Sequence, residues 1–384
     1  MGVVPAEPFQ YTNAANNFSF SLFKELSANA EGNVFASTYS VNLLLLLLTI
    51  GAQTKTGQQL KSLLRLPKES TQYEEISAFI EKTQDTFHNS LTIANAIFSD
   101  KSFELSADYE NQVRGYLKSE VKKIDFSGNP LAGESEINEW TNKKTNGKIN
   151  KLFDSGTIDS STVMVLASAV YFKNKWTNQF KETKKSKWCL TAKDHIDIQM
   201  MHQTGEFTYY KDDQNKFAAV SLPYANGGYK MLVLLPDNMD GVKALENYFL
   251  SDSSHFYNLL EKLTVHKVVL TLPKFKFESK FDLKSSLNNL DCGEMFTSKA
   301  DFSKMSSSGR SNLKVDKIQH KSYVDVNEEG TEAAAVTGAS IVLYSAHRYF
   351  NLKTVNFHAC HPFLFIIVQG TDIIFMGKLV NPNV

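Results

Sequence analysis

The chain has 384 residues, 42% of them hydrophobic and 12% aromatic, with 41 basic side chains balanced by 41 acidic ones. A formal charge of zero excludes a general nucleic-acid or anionic-membrane binder, because both need a basic surface to supply the electrostatic attraction. At roughly 100–200 residues per domain the length points to two or more domains, unless one large β-rich fold accounts for it.

In chain order, Met1-Gly2-Val3-Val4-Pro5-Ala6 lacks the basic start and apolar run of a secretory signal, and Ala6 sits where a myristoylation motif requires Ser or Thr. The protein is therefore read as secreted if a signal has been removed and as intracellular otherwise. Asn17-Phe18-Ser19 is a glycosylation acceptor pattern on a secreted chain. Phe18, Leu22, Phe23 and Leu26 nevertheless mark this segment as an amphipathic helix packed on the core. The apolar run 43–50 falls well short of the ~20 residues of a membrane helix and predicts a core helix.

Further helices are predicted around Leu60, Leu63 and Leu64 before Pro67, and around Ile76, Phe79 and Ile80. Strands at 91–98 and 163–172 bracket a third helical zone around Ile137, Trp140 and Ile149. Residues 217–222 ending at Pro223, the turn Asn226-Gly227-Gly228, and 229–235 ending at Pro236 predict a hairpin. A helix at 242–263 and strands at 265–277, 313–326, 363–368 and 373–379 complete the pattern. With no repeat, low-complexity tract or linker, one α+β domain spanning 1–384 is the simplest account.

One segment does not fit. From Thr331 to Ser340 the residues are small, with no proline between Glu328 and Asn351 and no charge from Ala333 through Ala346. Dense alanine favours helix, yet Ile341-Val342-Leu343-Tyr344 favours strand. At a period of two, Thr331, Ala333, Ala335, Thr337, Ala339, Ile341 and Leu343 form a small or apolar face suited to burial, while the even positions suit a partly solvated one. Such a segment can be an exposed loop in one state and a central strand in another.

These residues, with others in order along nearly the whole chain, resemble the serpins, serine protease inhibitors of the metastable, loop-inserting type. Glu328-Glu329-Gly330-Thr331-Glu332-Ala333-Ala334-Ala335-Val336-Thr337-Gly338 is similar to the reactive-loop hinge in its inhibitory form. The supporting motifs are Asn138-Glu139-Trp140 with Thr145-Asn146-Gly147-Lys148-Ile149, Tyr171-Phe172-Lys173-Asn174-Lys175-Trp176, Leu222-Pro223-Tyr224, Leu235-Pro236, Leu272-Pro273-Lys274, Ala300-Asp301-Phe302-Ser303, His361-Pro362-Phe363-Leu364-Phe365 and Phe375-Met376-Gly377-Lys378-Leu379-Val380-Asn381-Pro382. The resemblance implies an α+β serpin fold: one domain, three β-sheets, about eight to nine helices, and a hinge and reactive-centre loop at 328–354. It further implies a suicide-substrate inhibitor rather than an enzyme, trapping its protease as an acyl-enzyme when the cleaved loop inserts into the main sheet.

Counted from Gly330 at the family's spacing, the scissile bond is Tyr344–Ser345, and Tyr344 suits the apolar primary pocket of a chymotrypsin-like protease. Leu343–Tyr344 is the one-residue alternative, and Arg348–Tyr349 would suit a trypsin-like protease. A cysteine protease is a further possible target, since it also proceeds through an acyl intermediate. The family's shutter, where the main sheet opens, matches Ser37-Thr38-Tyr39-Ser40, Ser168 and His320, with Thr38 in place of a proline and Ser168 in place of an asparagine. The loss of a fixed φ and of an amide predicts a looser clamp and altered thermal stability or latency.

Other patterns have plainer readings. Cys189, Cys292 and Cys360 are too few and too far apart for a disulfide framework, and Cys360 beside His361 reads as a packed thiol. His358, Cys360 and His361 alternate along a strand, so no metal is expected, and no cofactor either. Gly147-Lys148-Ile149 lacks the first Gly and the Ser or Thr of a phosphate loop. The lysines 143, 144, 148 and 151, and 181, 184, 185 and 187, read as solvated faces, so glycosaminoglycan binding is disfavoured. A monomer without nucleic-acid or membrane partners is expected. The competing function is a non-inhibitory serpin acting as a binding or carrier protein, which has no need of the small face from Thr331 to Leu343.

Overall fold

The computed structural model describes residues 11–28, 30–67, 76–77, 80–81, 90–117, 119–309, 313–331 and 352–383. Helix α1 (Tyr11–Ala28) buries Phe18, Leu22, Phe23 and Leu26 on one face. The acceptor pattern lies inside it: the Ser19 hydroxyl is buried and donates to the Ala15 carbonyl (2.9 Å), while the half-buried Asn17 amide donates to the Asn13 carbonyl. Strand β1 (Val34–Ala36) leads to α2 (Thr38–Gly51), capped by Ser37 and buried at every position, as its apolar run requires. Among the described residues no helix is long and apolar enough to cross a membrane. Helix α3 (Thr54–Leu63) buries Leu60, and Ile76 and Ile80 are helical and buried beyond it.

Strand β2 (Leu91–Asp100), α4 (Ala107–Leu117), β3 (Glu120–Ile124) and α5 (Pro130–Lys144) follow. Ile149, expected within the third helical zone, lies past its end, because Asn146 and Gly147 take positive φ (51° and 78°) and reverse the chain. Next come β4 (Met164–Phe172), β5 (Asn174–Lys175), β6 (Glu182–Cys189), β7 (His195–Asp212) and the hairpin β8 (Phe217–Pro223) and β9 (Tyr229–Pro236). The helix predicted at 242–263 is two, α6 (Val242–Phe249) and α7 (Ser254–Lys262). Asp252 separates them by accepting the Ser254 N–H on its side chain (2.8 Å), which starts a new helix.

The strand predicted at 265–277 is also two, β10 (Thr264–Pro273) and β11 (Phe275–Asp282), and the chain changes sheet at Lys274 between them. Helix α8 (Lys284–Asn289), β12 (Lys317–Val326), which starts four residues later than predicted, β13 (Gly330–Thr331), β14 (Thr354–His358), β15 (Phe363–Gln369) and β16 (Asp372–Leu379) complete the order.

One sheet runs β3-β2-β4-β12-β13-β5, with β11 also on β12. The other runs β1-β16-β15-β9-β8-β7-β10-β14, with β6 on β7. Long β7 joins two groups in the latter: its first part pairs with β6 and β10, and only its end, from Thr208 to Asp212, pairs with β8. The three sheet surfaces expected are thus present, two of them sharing β7. Strand β4 is buried on both faces: Val165, Ala167 and Ala169 face α5 in a small cluster with Ile137 and Trp140, while Met164, Leu166, Val170 and Phe172 join the large core.

Candidate functional site

The centre of the first sheet is a parallel seam in which β4 meets β12, from Lys317 opposite Val165 to Tyr323 opposite Tyr171. Halfway along, Ser168 and His320 are opposite each other. The Ser37 backbone N–H donates to His320 Nε2 (3.1 Å), so the ring proton sits on Nδ1 and donates to Ser168 Oγ (3.0 Å). Ser40 Oγ donates to Asn95 Oδ1 (2.9 Å), which leaves the Ser168 hydroxyl to donate to Ser40 Oγ (2.9 Å). Asn95 Nδ2 returns a bond to the Ser40 carbonyl (2.8 Å), and Ser37 Oγ donates to the Ile374 carbonyl (3.0 Å). Burial depresses the His320 pKa to about 3, so the chain of hydrogen bonds is built on a neutral imidazole.

Ser37, Ser40, Ser168 and His320 therefore converge, and the structure adds a residue that the sequence reading missed. Asn95 lies on β2 directly opposite Ser168. The amide expected at position 168 stands one strand over, so the network spans β2, β4 and β12 and is closed from below by the start of α2. A lone asparagine inside Ile93-Ala94-Asn95-Ala96-Ile97 was the available signal. Thr38 remains a departure, since its buried hydroxyl has no partner.

At the upper end of the seam the chain leaves β12 at Val326, turns, and comes back as β13. Thr331 pairs with Val326 on one side and with Asn174 of β5 on the other. Gly330 opposite Lys175 has to be glycine, because a methyl group there would lie 2.1 Å from the Asn174 carbonyl oxygen. Thr331 is fully buried, and its hydroxyl lies 2.6 Å from the hydroxyl of Tyr224. Burial pushes the Tyr224 phenol far above its ordinary pKa, so it stays neutral.

The turn itself is held from several elements. The Trp176 ring stacks on Tyr224 (centroids 4.4 Å apart), its indole N–H donates to the Asn327 carbonyl (3.0 Å), and its backbone N–H donates to the Glu329 carbonyl (2.8 Å). The Glu328 carboxylate accepts from Lys274 (2.8 Å) and from the Thr183 hydroxyl (2.6 Å). Burial alone would raise the pKa of Glu328, but these two donors outweigh it and hold the carboxyl below its usual range. Trp176, Tyr224 and Lys274 all stood in motifs of the sequence; register and the switch between sheets gather them here.

The remaining hinge residues, Glu332, Ala333, Ala334, Ala335, Val336 and Thr337, lie outside the described residues, as do Leu343, Tyr344, Ser345, Arg348 and Tyr349. The chain returns as β14, which runs parallel to β10 from Thr354 opposite Lys267 to His358 opposite Thr271. Of the lysines considered for polyanions, Lys184 and Lys185 pair with Glu182 and Asp197, Lys144 with Glu120, and Lys151 with Asp154.

Comparison with known proteins gives a consistent result. A family model described as Serpin (serine protease inhibitor) matches residues 13–382. Serpin B4 of Homo sapiens is 31% identical over 396 aligned residues, covering 97% of this chain and 99% of that protein. The leukocyte elastase inhibitor of Bos taurus is 33% identical, covering 97% of this chain and 100% of that protein. The crystal structure of uncleaved ovalbumin superposes with a TM-score of 0.86 at 26% identity, covering 97% of this chain and 100% of that one.

Proposed function

This chain belongs to the serpin family, and from that premise we propose that it is a protease inhibitor rather than an enzyme, a suicide substrate cleaved at Tyr344–Ser345 by a chymotrypsin-like serine protease. Residues 1–384 act as one domain and as a monomer, with the hinge and reactive-centre loop at 328–354. The observation that carries the reading is the seating of β13. It already runs antiparallel to both β12 and β5 at the head of a seam whose two strands are parallel.

A strand continuing from Thr331 down that seam would replace one parallel ladder by two antiparallel ones, which are slightly more stable per residue. The same register supports the period-two face. Thr331 points into the core, so Ala333, Ala335 and Thr337 share its side of the strand. Small residues there let the strand enter a packed interior quickly, before the acyl-enzyme can hydrolyse.

Opening the seam requires breaking the Ser168–His320 bond, so the network below it sets the resistance to insertion. Incubation with chymotrypsin, trypsin and elastase separately, followed by denaturing gels and mass spectrometry, tests the reading. A detergent-resistant band at the summed mass with chymotrypsin, and a released peptide starting at Ser345, are expected. A trypsin complex with a peptide starting at Tyr349 would move the bond to Arg348–Tyr349. Cleavage by every protease without a complex would overturn inhibition in favour of a binding or carrier role.

A further inference from the structure

Two of the three cysteines, distant in sequence, meet in the fold. The four-strand group β14-β10-β7-β6 has β14 and β6 as its two edges. The chain leaving β14 crosses under the ends of the strands between them: the Ala359 N–H donates to the Thr271 carbonyl of β10 (3.0 Å). One residue on, the Cys360 carbonyl accepts the backbone N–H of Cys189, the last residue of β6, at 2.8 Å. This N–H···O bond brings the two cysteine backbones side by side, and a disulfide requires α carbons roughly 4.4–6.8 Å apart.

The surroundings fit. Cys189 and Cys360 are both free and partly exposed, whereas Cys292 is buried. Trp188 and Phe363 flank the pair and pack edge to face, their centroids 5.9 Å apart, which fixes the crossing against β6. Burial pushes the Cys360 thiol pKa up, and the neighbouring Cys189 adds to it. Among the described residues no three His, Cys, Asp or Glu side chains converge on a metal-sized site.

We propose that Cys189 and Cys360 are a reversible disulfide site that ties the two edges of this strand group together. The oxidant is a low-molecular-weight disulfide. One protein thiolate attacks it, forming a mixed disulfide and releasing one small thiol; the second protein thiolate then displaces the other small thiol. One S–S bond forms in the protein and one breaks in the oxidant, two electrons pass to the oxidant, and the two small thiols carry off the two protons. Closure limits how far β14 can peel from β10, its only strand partner among the described residues, because the segment following β14 is then anchored at β6.

Oxidised glutathione is added to the native protein, remaining thiols are blocked with N-ethylmaleimide, and the unreduced digest is analysed by mass spectrometry. The expected product is a Cys189–Cys360 linked peptide, with Cys292 labelled only after unfolding. The oxidised form is expected to melt several degrees higher than the reduced one, a shift absent in C189S and in C360S. Two separately alkylated cysteines, a separate glutathione adduct on each, or disulfide-linked dimers would each overturn the proposal. The readout is independent of protease inhibition, so it stands or falls apart from the proposed function.

Discussion

Replacing Asn95 with alanine tests whether the amide on β2 does the work that the sequence led us to expect at position 168. The substitution strips the Ser40 hydroxyl of its acceptor and the Ser40 carbonyl of its side-chain donor, both in a buried site. A buried orphaned hydroxyl costs about 1–3 kcal/mol and the second bond to a helical carbonyl about 1 kcal/mol, so a loss of about 2–4 kcal/mol is expected. At about 2.1 cal/mol/K per residue, a chain of 384 residues has an unfolding entropy near 0.8 kcal/mol/K. The expected fall in melting temperature at a fixed scan rate is therefore about 3–5 °C.

The diagnostic measurement is the double-mutant cycle with Ser168→Asn. Alone, that change forces a second amide into a fully packed site and destabilises by about 1–3 kcal/mol. In the Asn95→Ala background it restores an amide where one is missing, so the double variant should melt above Asn95→Ala. Additive losses, or an Asn95→Ala protein that melts within 1 °C of the parent, would refute the shared network.

Thr38→Pro should stabilise by about 1–2 kcal/mol, because it removes an orphaned buried hydroxyl and presets φ at the first helical position. Ser37 before it, at φ −84° and ψ 89°, is already outside the α region that a following proline disfavours, and an unchanged or lower melting temperature would contradict this. His320 makes stability depend on pH. Its folded pKa of about 3 lies below the unfolded value, so the contribution is intact above pH ~6.5 and is lost as pH falls toward 3, by about 2 kcal/mol at pH 5. Burial depresses His358 and His361 in the same direction, so His320→Gln should remove only part of the slope between pH 7 and 5, and an identical slope in the variant would rule out His320. Thr331→Arg would place a charge against Tyr224 in a fully buried position. Cleavage should continue while the covalent complex with the target protease falls at least ten-fold, and an undiminished complex would argue against insertion through β13.

Elements whose residues are buried on every side were legible in the sequence. Strand β4, helix α2 and the β8–β9 hairpin declare themselves as apolar runs bounded by turn residues. The longest strand, β7, was not seen: His195 to Met200 alternate polar and apolar, but Met201 to Gly205 interrupt the alternation, and most of its positions are exposed or only partly buried. Strand β6 reads as a charged run: its lysines face solvent on an edge strand, where charge discourages pairing with another chain. At the site, Ser37, Ser40, Ser168 and His320 were recognisable by likeness to a family. Asn95 was not, since only the register between β2 and β4 brings it opposite Ser168. The clamp on Glu328 depends on Lys274 standing where one strand leaves its sheet, and the continuous apolar pattern across that point concealed the exit.

That exit gives the molecule a line of tension. Strand β10 grips β14, β11 grips β12, and the two are one ribbon joined at Lys274. The anchors on either side of residues 332–351 are therefore harnessed to a single tie-rod, and Lys274 bolts that rod to Glu328 just ahead of β13. Under the proposed function, a protease docked on the loop would pull on β14, and the pairing with β10 would carry that pull toward the Lys274–Glu328 ion pair. A pull on one end of the loop would in this way reach the other, beside the place where the proposed insertion would begin.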